Sequence, residues 1–283
     1  IPVSTPKNQI GVLRAIDLLL RHLLRRLPPT SAVEHVALWW GYRFQPSPSI
    51  VKLRSGALVK TTHVDHLQLL LYYLGIFEPS CVQAMKSHLR PGSTLLDVGA
   101  NIGLFSIEGA TAVGSSGNVI AIEAAPPHAQ TIRDAAALNR LQNIEVVPAA
   151  VGSSEGAAIL TLPEKGNYGM YTLGSVAGER SFQVPVRRID DIVAGRRVDF
   201  IKIDIEGSEY QALLGAVQTL KSTPPLLIEL NEAALVGCGS SARQVKQLLF
   251  SYGYQGHVLG SAKQITLDDL HVCDECLFLP TIG

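Results

Sequence analysis

The sequence predicts an α/β fold built on a doubly wound, mostly parallel sheet of seven strands. From Pro91 onward, predicted strands alternate with predicted helices. The strands are short and continuously apolar, as a parallel sheet covered on both faces requires. The first strand runs into a loop containing Gly99 and Gly103 and then into a helix, which is half of a nucleotide-binding βαβ unit.

The elements of this main domain, residues 91–283, follow from their apolar runs and their periodicity. The last two strands are expected to form a hairpin-like pair that gives the sheet an antiparallel edge. We expect strands at 94–98, 118–122, 144–148, 199–204, 225–230, 256–260 and 275–279, and helices at 103–113, 127–140, 208–221 and 241–252.

Residues 1–90 differ from the rest because helical patterns there are separated by Pro-rich breaks. A short hairpin, 50–53 with 57–60, is predicted to turn at Ser55-Gly56. We interpret this region as a mainly helical cap that packs on the main domain, with helices at 10–27, 31–40, 64–74 and 79–89.

One insertion interrupts the alternation of strands and helices. Residues 153–190 contain two strand-like runs, AAILTL and SFQVPV, on either side of a loop rich in Gly, Asn and Tyr. This pattern predicts an extra β-hairpin with a long tip. Because long loops beside a ligand crevice are often functional, the tip is a candidate lid or acceptor wall.

The composition favours a globular chain with a sizeable core, since 47% of the residues are hydrophobic and 17% are charged. Lys+Arg and Asp+Glu both total 24, so nucleic acid is not expected as a partner. The C-x-x-C of Cys273 and Cys276 lacks the second pair of ligands that a zinc site needs. A reducing, cytoplasmic setting fits this use of cysteine best.

The segment 10–27 is amphipathic at helical spacing and rich in Arg. We expect it to pack on its own domain or on a second subunit, which leaves a homodimer through the N-terminal helices open. Attachment to a membrane surface is the alternative interpretation of such a helix. No transmembrane segment is expected, because every apolar run falls well short of about 18 residues.

The glycine loop carries the main chemical signal. Glu123 ends the second strand 20 residues beyond Gly103, where a carboxylate can accept hydrogen bonds from two ribose hydroxyls. The loop is not G-x-G-x-x-G, because Asp97 precedes its first glycine and Asn101 stands where a second glycine would be. A carboxylate there repels a pyrophosphate but suits an ammonium or sulfonium group. The loop therefore points to S-adenosylmethionine (SAM) rather than to NAD.

Four blocks make the chain resemble the FkbM-type family of SAM-dependent methyltransferases. They are GIFEP at 75–79, LDVGANIG at 96–103, FIKIDIEGSEY at 200–210 and LLIEL at 226–230. The resemblance runs from about residue 75 to residue 230, over half of the chain. It implies a class I methyltransferase fold, SAM as the cofactor and a methylated acceptor.

The resemblance also implies roles for residues around the cofactor. Asp97 and Gly99 would hold the methionine part of SAM, and Glu123 would bind the ribose. Glu78 would contact the amino group of SAM or the acceptor, with helix capping as its alternative. The other implied cofactor residues continue the loop or line the adenine, and they are Ala100, Asn101, Gly103, Ala124 and Ala150.

Acidic residues after the fourth and fifth strands of the main domain are the candidates for catalysis. Asp204 and Glu206 are two residues apart and could share one face of the strand, and Glu229 ends the next strand. Paired carboxylates can create a base with a raised pKa, or hold a divalent metal. Asp204, itself also a candidate cofactor residue, could hold Mg²⁺ together with Glu229. We expect Glu209 to cap a helix. Lys202 stands inside an apolar strand, where it would have either a structural partner such as Glu229 or Glu123 or a catalytic role.

The sequence signals for residues that would contact the acceptor are less specific. Asn167 and Tyr168 match an Asn-containing loop of the family and lie at the tip of the inserted hairpin. His63 or His66 could serve as a base if the cap folds over the crevice. The leading hypothesis is SAM-dependent O-methylation of a hydroxyl on a small molecule, natural product or glycan. N- or C-methylation of a small molecule or peptide, or nucleic-acid methylation, is the alternative, and an NAD-dependent dehydrogenase is a remote one.

Overall fold

The computed structural model describes residues 7–61, 65–162, 172–173, 180–261, 263–269 and 273–281. The chain divides into two compact units, with the first boundary between Phe77 and Glu78. Residues 1–77 belong to the first unit, and nearly all of the remaining chain belongs to the second. The sequence had placed this boundary near residue 90, so the helix after Glu78 lies in the second unit.

The first unit contains three helices and a small hairpin. In chain order they are α1 (Lys7–Leu24), α2 (Ser31–Phe44), β1 (Ser49–Lys52), β2 (Leu58–Thr61) and α3 (His66–Leu74). The predicted elements are present, with ends shifted by no more than four residues. Among the described residues, α1 included, no helix combines the length and apolar content that crossing a bilayer requires.

A buried carboxylate ties the three helices of the first unit together. Asp17 of α1 is 1% exposed. It accepts hydrogen bonds from the Trp40 indole of α2 at 2.9 Å and from the Tyr72 and Tyr73 hydroxyls of α3 at 2.8 and 2.5 Å. Because every one of these donors is satisfied by Asp17, the carboxylate fixes how α1 lies against α2 and α3.

The second unit alternates strands and helices along the chain. Its described elements are α4 (Pro79–His88), β3 (Thr94–Val98), α5 (Leu104–Val113), β4 (Asn118–Ile122), α6 (Pro126–Leu138), β5 (Ile144–Val147), β6 (Ala150–Val151), β7 (Gly156–Leu162), β8 (Thr172–Leu173), β9 (Arg180–Arg187), α7 (Ile189–Val193), β10 (Phe200–Ile203), α8 (Glu209–Leu214), α9 (Val217–Lys221), β11 (Leu226–Asn231), α10 (Glu232–Gly237), α11 (Ala242–Ser251), β12 (Tyr254–Val258) and β13 (Cys273–Pro280).

Seven of these strands form one sheet, in the order β12-β13-β11-β10-β3-β4-β5. The ladders between β10 and its neighbours β3 and β11 are parallel, as are those of β3 with β4 and of β4 with β5. Strand β13 lies antiparallel between β12 and β11. The α/β class and the doubly wound sheet are therefore confirmed.

The inserted hairpin predicted at 153–190 is present as the antiparallel pair β7 and β9. It belongs to a separate sheet with the order β6-β9-β7-β8. Residues 163–171 and 174–179 at its tip lie outside the described residues. The candidate acceptor residues Asn167 and Tyr168 fall in this part, and His63 falls in another such gap.

Three helical regions differ from the prediction, and the first is the short helix α7, which was not expected. The single helix expected at 208–221 is broken into α8 and α9 at Gly215, where an added Cβ would lie 2.1 Å from the carbonyl oxygen of Gly152. Helix α10 was not predicted, because six residues are too few to show a helical period. Its start is set by Asn231, whose side chain accepts the Ala234 amide at 3.2 Å.

We predict that Asp17→Ala lowers the free energy of unfolding of the first unit by several kcal/mol. The change leaves three buried donors without an acceptor, and each such loss costs about 1–3 kcal/mol. Urea titration followed by tryptophan fluorescence checks this, because both tryptophans of the chain, Trp39 and Trp40, lie in α2. Glu34→Ala, in the same helix, is the control, and an equal effect in both variants would contradict the prediction.

Candidate active site

The loop between β3 and α5 has a backbone that depends on its glycines and on Asn101. Gly99 has φ +80°, and a Cβ added there would lie 1.8 Å from the carbonyl oxygen of Asp204. A side chain at this position would clash with the backbone that follows β10, so glycine is required there whether or not a ligand is bound. Gly103 has φ +89° and packs on Ile132. Asn101, at φ +52°, adopts the left-handed conformation that its residue type tolerates.

Glu123 binds the glycine loop to the turn after β4. Its two carboxylate oxygens accept the backbone amides of Asn101 at 2.8 Å and Ala125 at 2.7 Å. Burial raises the pKa of Glu123 to about 7, against the effect of these two hydrogen bonds. The negative charges of Asp97 and Asp204 act in the same direction as burial. The residue predicted to bind ribose is thus a buried carboxylate that already orders the loop.

The two alanines predicted to border the adenine are brought together. Ala150 forms a small buried cluster with Ala125, Leu160 and Val184, and Ala124 packs against that cluster. Ala100, the other small residue of the prediction, is buried in a neighbouring cluster of the second unit. Small apolar side chains therefore lie directly after the β4 strand end that carries Glu123.

Asp97 has one carboxylate oxygen that the protein leaves unpaired. The side chain is fully buried, and its Oδ2 accepts the Ser106 hydroxyl of α5 at 2.5 Å. Its Oδ1 is buried and accepts no hydrogen bond from a described residue. Burial raises the pKa of Asp97, while the nearby positive charge of Lys202 lowers it. An unpaired buried acceptor of this kind is suited to a further donor, such as a water or a ligand.

Lys202 is the cation at the centre of the site. It lies beside Asp97 in the β10–β3 ladder, and its ammonium donates to Asp204 at 3.0 Å and lies 4.5 Å from the centre of the Phe105 ring. Its hydrogen-bonding partner is therefore the half-buried Asp204, not Glu229 or Glu123. Burial lowers the pKa of Lys202, but surrounding carboxylates raise it above its ordinary value, and they are Asp204, Asp97, Glu78 and Glu275.

The three predicted catalytic acids, Asp204, Glu206 and Glu229, interact electrostatically, but they are not strand neighbours. Strand β10 ends at Ile203, and Glu206 has φ +53°, so Asp204 and Glu206 do not share a strand face as the sequence suggested. Glu229 lies within β11 rather than at its end. Burial and the charge of Asp204 raise the pKa of both Glu206 and Glu229 to about 7.

Two further acids complete the group, and the sequence revealed one of them. Glu78 occupies the N-cap position of α4, but its side chain makes no cap hydrogen bond there, so the capping alternative is wrong. Glu275 of β13 was not predicted; it lies opposite Glu229 in the antiparallel ladder. Burial raises the pKa of Glu78, and it raises that of Glu275 to about 8. Each has a buried Oε2 without a partner among the described residues.

The described residues that could together ligate a metal ion are not those predicted. Ligand atoms of Glu78, Cys81 and Glu275 lie within 4.8 Å of one another. Asp204 and Glu229, the predicted metal pair, are not part of this trio. Burial raises the pKa of the Cys81 thiol well above its ordinary value, which disfavours the thiolate that a metal would need.

Glu209 has a structural role, although not as the helix cap that the sequence predicts. Its Oε1 accepts the backbone amides of Ile205 and Gly207, each at 3.1 Å, and so holds the loop before α8. His66 begins α3 in the first unit, where its ring meets that of Phe77 edge-on. A role for His66 as an acceptor-side base stays a prediction.

The comparisons with known proteins identify the family. Residues 97–255, more than half of the chain, match the model of the methyltransferase FkbM domain. The chain belongs to the FkbM methyltransferase family. In this FkbM-family chain, the matched range contains the glycine loop, Glu123, Lys202 and Glu229, whereas Glu78 and Glu275 lie outside it. The search of curated proteins gives no match.

Solved structures of methyltransferases are similar to this FkbM-family chain. A methyltransferase FkbM from Methylobacillus flagellatus is 20% identical, with a TM-score of 0.44, over 95% of this chain and 60% of that one. A SAM-dependent O-methyltransferase from Thermotoga maritima is 13% identical, with a TM-score of 0.44, over 86% and 82% of the two chains. TYW2 from M. jannaschii, in complex with AdoMet, is 13% identical, with a TM-score of 0.44, over 83% and 88%. The chain thus spans about 60% of the length of the Methylobacillus protein.

We predict that Gly99→Ala lowers the free energy of unfolding by more than about 3 kcal/mol, because the new methyl group clashes with backbone atoms that cannot rotate away. Gly114→Ala is the matched control, since Gly114 also has a positive φ, +66°, but open space around it. We expect the control to lose about 1 kcal/mol from backbone strain alone. Urea unfolding followed by circular dichroism measures both, and similar losses would refute the steric explanation.

We predict that the melting temperature falls as the pH rises from about 5 to about 8. The folded pKa values of about 7 for Glu206 and Glu229, and of about 8 for Glu275, lie above their ordinary 4.5. In this window the folded chain binds more protons than the unfolded chain, so stability is present at low pH and is lost as the pH rises. The double change Glu229→Gln and Glu275→Gln should flatten the profile.

The control for this pH profile is Glu145→Gln, at an exposed carboxylate of β5. In calorimetric melting at several pH values, the melting temperature of this control should change with pH in the same way as that of the unmodified chain. A profile of the double variant that keeps the slope of the unmodified chain would contradict the assignment of the raised pKa values.

Proposed function

We propose that this FkbM-family chain is a SAM-dependent methyltransferase that methylates a hydroxyl oxygen of a small molecule, natural product or glycan. The observation that carries the proposal is the unpaired, fully buried Oδ1 of Asp97 at the end of β3. A buried carboxylate oxygen in the glycine loop fits a cationic ligand and repels a pyrophosphate. It therefore supports SAM over NAD.

Several residues fit the parts of SAM. Asp97 would hold the ammonium of its methionine part, directly or through a water. Glu123 has two lone pairs beyond those used by the amides of Asn101 and Ala125, and these can accept ribose hydroxyls. The apolar cluster of Ala124 and Ala150 would border the adenine. When bound, SAM supplies an electrophilic methyl group on a sulfonium centre.

The acids beyond the loop would prepare the acceptor. A general base works best when its pKa lies near the working pH, and Glu206 and Glu229, with pKa values of about 7, meet this condition. Asp204 is instead held by Lys202 at 3.0 Å, which suits a residue that orients the acceptor or the cofactor. Positioning two reactants contributes most of the acceleration that a displacement of this kind needs.

A side-chain base is favoured over Mg²⁺ at Asp204 and Glu229. One oxygen of Asp204 already accepts the Lys202 ammonium, and an adjacent fixed cation opposes the binding of a second one. The removal of divalent ions with a chelator should therefore leave methyl transfer unchanged.

The charge of the site also bears on the acceptor class. Residues 78–283 contain 21 Asp and Glu against 15 Lys and Arg. A surplus of acids around the crevice disfavours a polyphosphate backbone, which supports a small molecule or a glycan over a nucleic acid. An amine acceptor would also suit these acids, so N-methylation is the second candidate. Mass spectrometry of the methylated product distinguishes oxygen from nitrogen.

We predict that SAM and S-adenosylhomocysteine bind in a calorimetric titration, and that NADH does not. Asp97→Asn, which keeps the shape but removes the charge, should weaken SAM binding by about ten- to a hundredfold, as expected for the loss of a charged hydrogen bond. Glu145→Gln, far from the loop on exposed β5, should leave the affinity unchanged. Preferential NADH binding, or an Asp97 variant with full affinity for SAM, would overturn the proposal.

A further inference from the structure

The exposed apolar side chains of this protein are concentrated in the first unit. Among the side chains that the structure describes, thirteen large hydrophobic ones are strongly exposed, and eleven of these lie between residues 12 and 50. The other two are Ile159 and Val236. The eleven are Val12, Leu13, Ile16, Leu18, Leu19, Leu23, Leu27, Val36, Trp39, Tyr42 and Ile50.

Four of these residues form one stripe on α1. Val12, Ile16, Leu19 and Leu23 follow the spacing of a single helical face and are 61%, 43%, 59% and 49% exposed. The opposite face of the helix is the one that packs inside the first unit, since Asp17 is buried there. The apolar stripe, defined by these four residues, is therefore left without a partner among the described residues.

Helix α2 adds aromatic residues to the exposed surface. Trp39 is 67% exposed and Tyr42 is 48% exposed, and Val36 lies one helical turn before Trp39. Side chains of Trp and Tyr combine an apolar ring with a polar group, which suits the boundary between water and lipid. Two helices of one unit thus present side chains typical of an interface between an aqueous and an apolar phase.

The same unit carries a strong positive charge. Residues 1–77 contain nine Lys and Arg against three Asp and Glu, although the whole chain is neutral. Two of the three acids, Asp17 and Asp65, are buried at 1% and 2% exposure. Arg14 and Arg26, by contrast, are exposed within or just after α1. The surface of the first unit is therefore apolar and cationic together.

We propose that the first unit binds an anionic lipid surface through the apolar stripe of α1 and the exposed aromatic residues of α2. Apolar side chains enter the boundary of the acyl chains, and the exposed arginines Arg14 and Arg26 of the same unit meet anionic headgroups. This inference is independent of the proposed methyl transfer, since it uses no residue of the second unit.

Charge and side-chain type favour lipid over two other occupants. A second copy of the chain would bring the same surplus of positive charge to the stripe, and like charges repel. A nucleic acid would satisfy the charge, but aliphatic side chains such as Leu19 and Leu23 offer it neither stacking nor hydrogen bonds. An anionic bilayer satisfies both the apolar and the cationic part of the surface.

Flotation of the full chain with lipid vesicles tests the proposal. We expect binding to vesicles of mixed phosphatidylglycerol and phosphatidylcholine, and about tenfold weaker binding to pure phosphatidylcholine. The double change Leu19→Ser and Leu23→Ser should weaken binding to the anionic vesicles by about tenfold or more. Val236→Ser, at a residue of α10 that is 59% exposed, is the matched control and should bind as the unmodified chain does.

A second pair of variants tests the charge. Arg14→Gln with Arg26→Gln should weaken binding to anionic vesicles by about tenfold, whereas Arg90→Gln with Arg133→Gln, both exposed in the second unit, should not. Tryptophan emission should shift to shorter wavelength on binding, and Trp39→Phe should remove most of this shift. Thermal melting of each variant by circular dichroism confirms that it remains folded.

Three results would overturn the proposal. The first is no flotation with anionic vesicles, or flotation that the Leu19 and Leu23 changes leave intact. The second is a chain that does not bind lipid but sediments as a dimer, together with a Leu19 and Leu23 double variant that sediments as a monomer. The third is tighter binding to a single-stranded RNA oligonucleotide than to anionic vesicles.

Discussion

The buried ammonium of Lys202 is the interaction on which the candidate site depends. It stands in a parallel sheet next to Asp97 and bonds Asp204, and its charge also acts on Glu78 and Glu275. Its positive charge lowers the pKa values of Asp97, Glu78 and Glu275, which burial raises. Lys202 therefore favours the ionised form of the residues that would meet a cationic cofactor.

One ammonium does not balance the acids that surround it. The surplus appears as raised pKa values of about 7 for Glu123, Glu206 and Glu229 and about 8 for Glu275. Near neutral pH these groups exchange protons readily, which is the property that a proton acceptor needs. A cationic ligand would supply the missing positive charge, so its binding and the loss of protons from these acids are coupled. The site is thus arranged for a cation and for proton transfer at once.

The sequence was sufficient for those parts of the fold and site that depend on local pattern. The seven strands and the glycine loop with Asp97 and Glu123 could be predicted, because each is a continuous run with its own period or spacing. Glu275 could not, because it reaches the site only through the antiparallel pairing of β13 with β11. The partner of Lys202 was also missed, since the strand ends before Asp204 and a periodicity of two no longer applies. Local sequence pattern does not predict which residues meet through strand pairing or through a turn with positive φ.

The neutral total charge of the chain also concealed how unevenly charge is distributed between the two units. A sum of 24 bases and 24 acids indicated no charged surface, yet nine of the bases and only three of the acids fall in residues 1–77. Several acids of the second unit, among them Glu78, Asp97, Asp204 and Glu275, act on Lys202, whereas the exposed Arg14 and Arg26 of the first unit lie in or just after the helix that carries exposed leucines. Because screening by salt acts within about 10 Å, each unit presents its own charge to a partner rather than the average of the chain. Charge must therefore be counted for each compact unit, and the two units of this protein then favour different ligands.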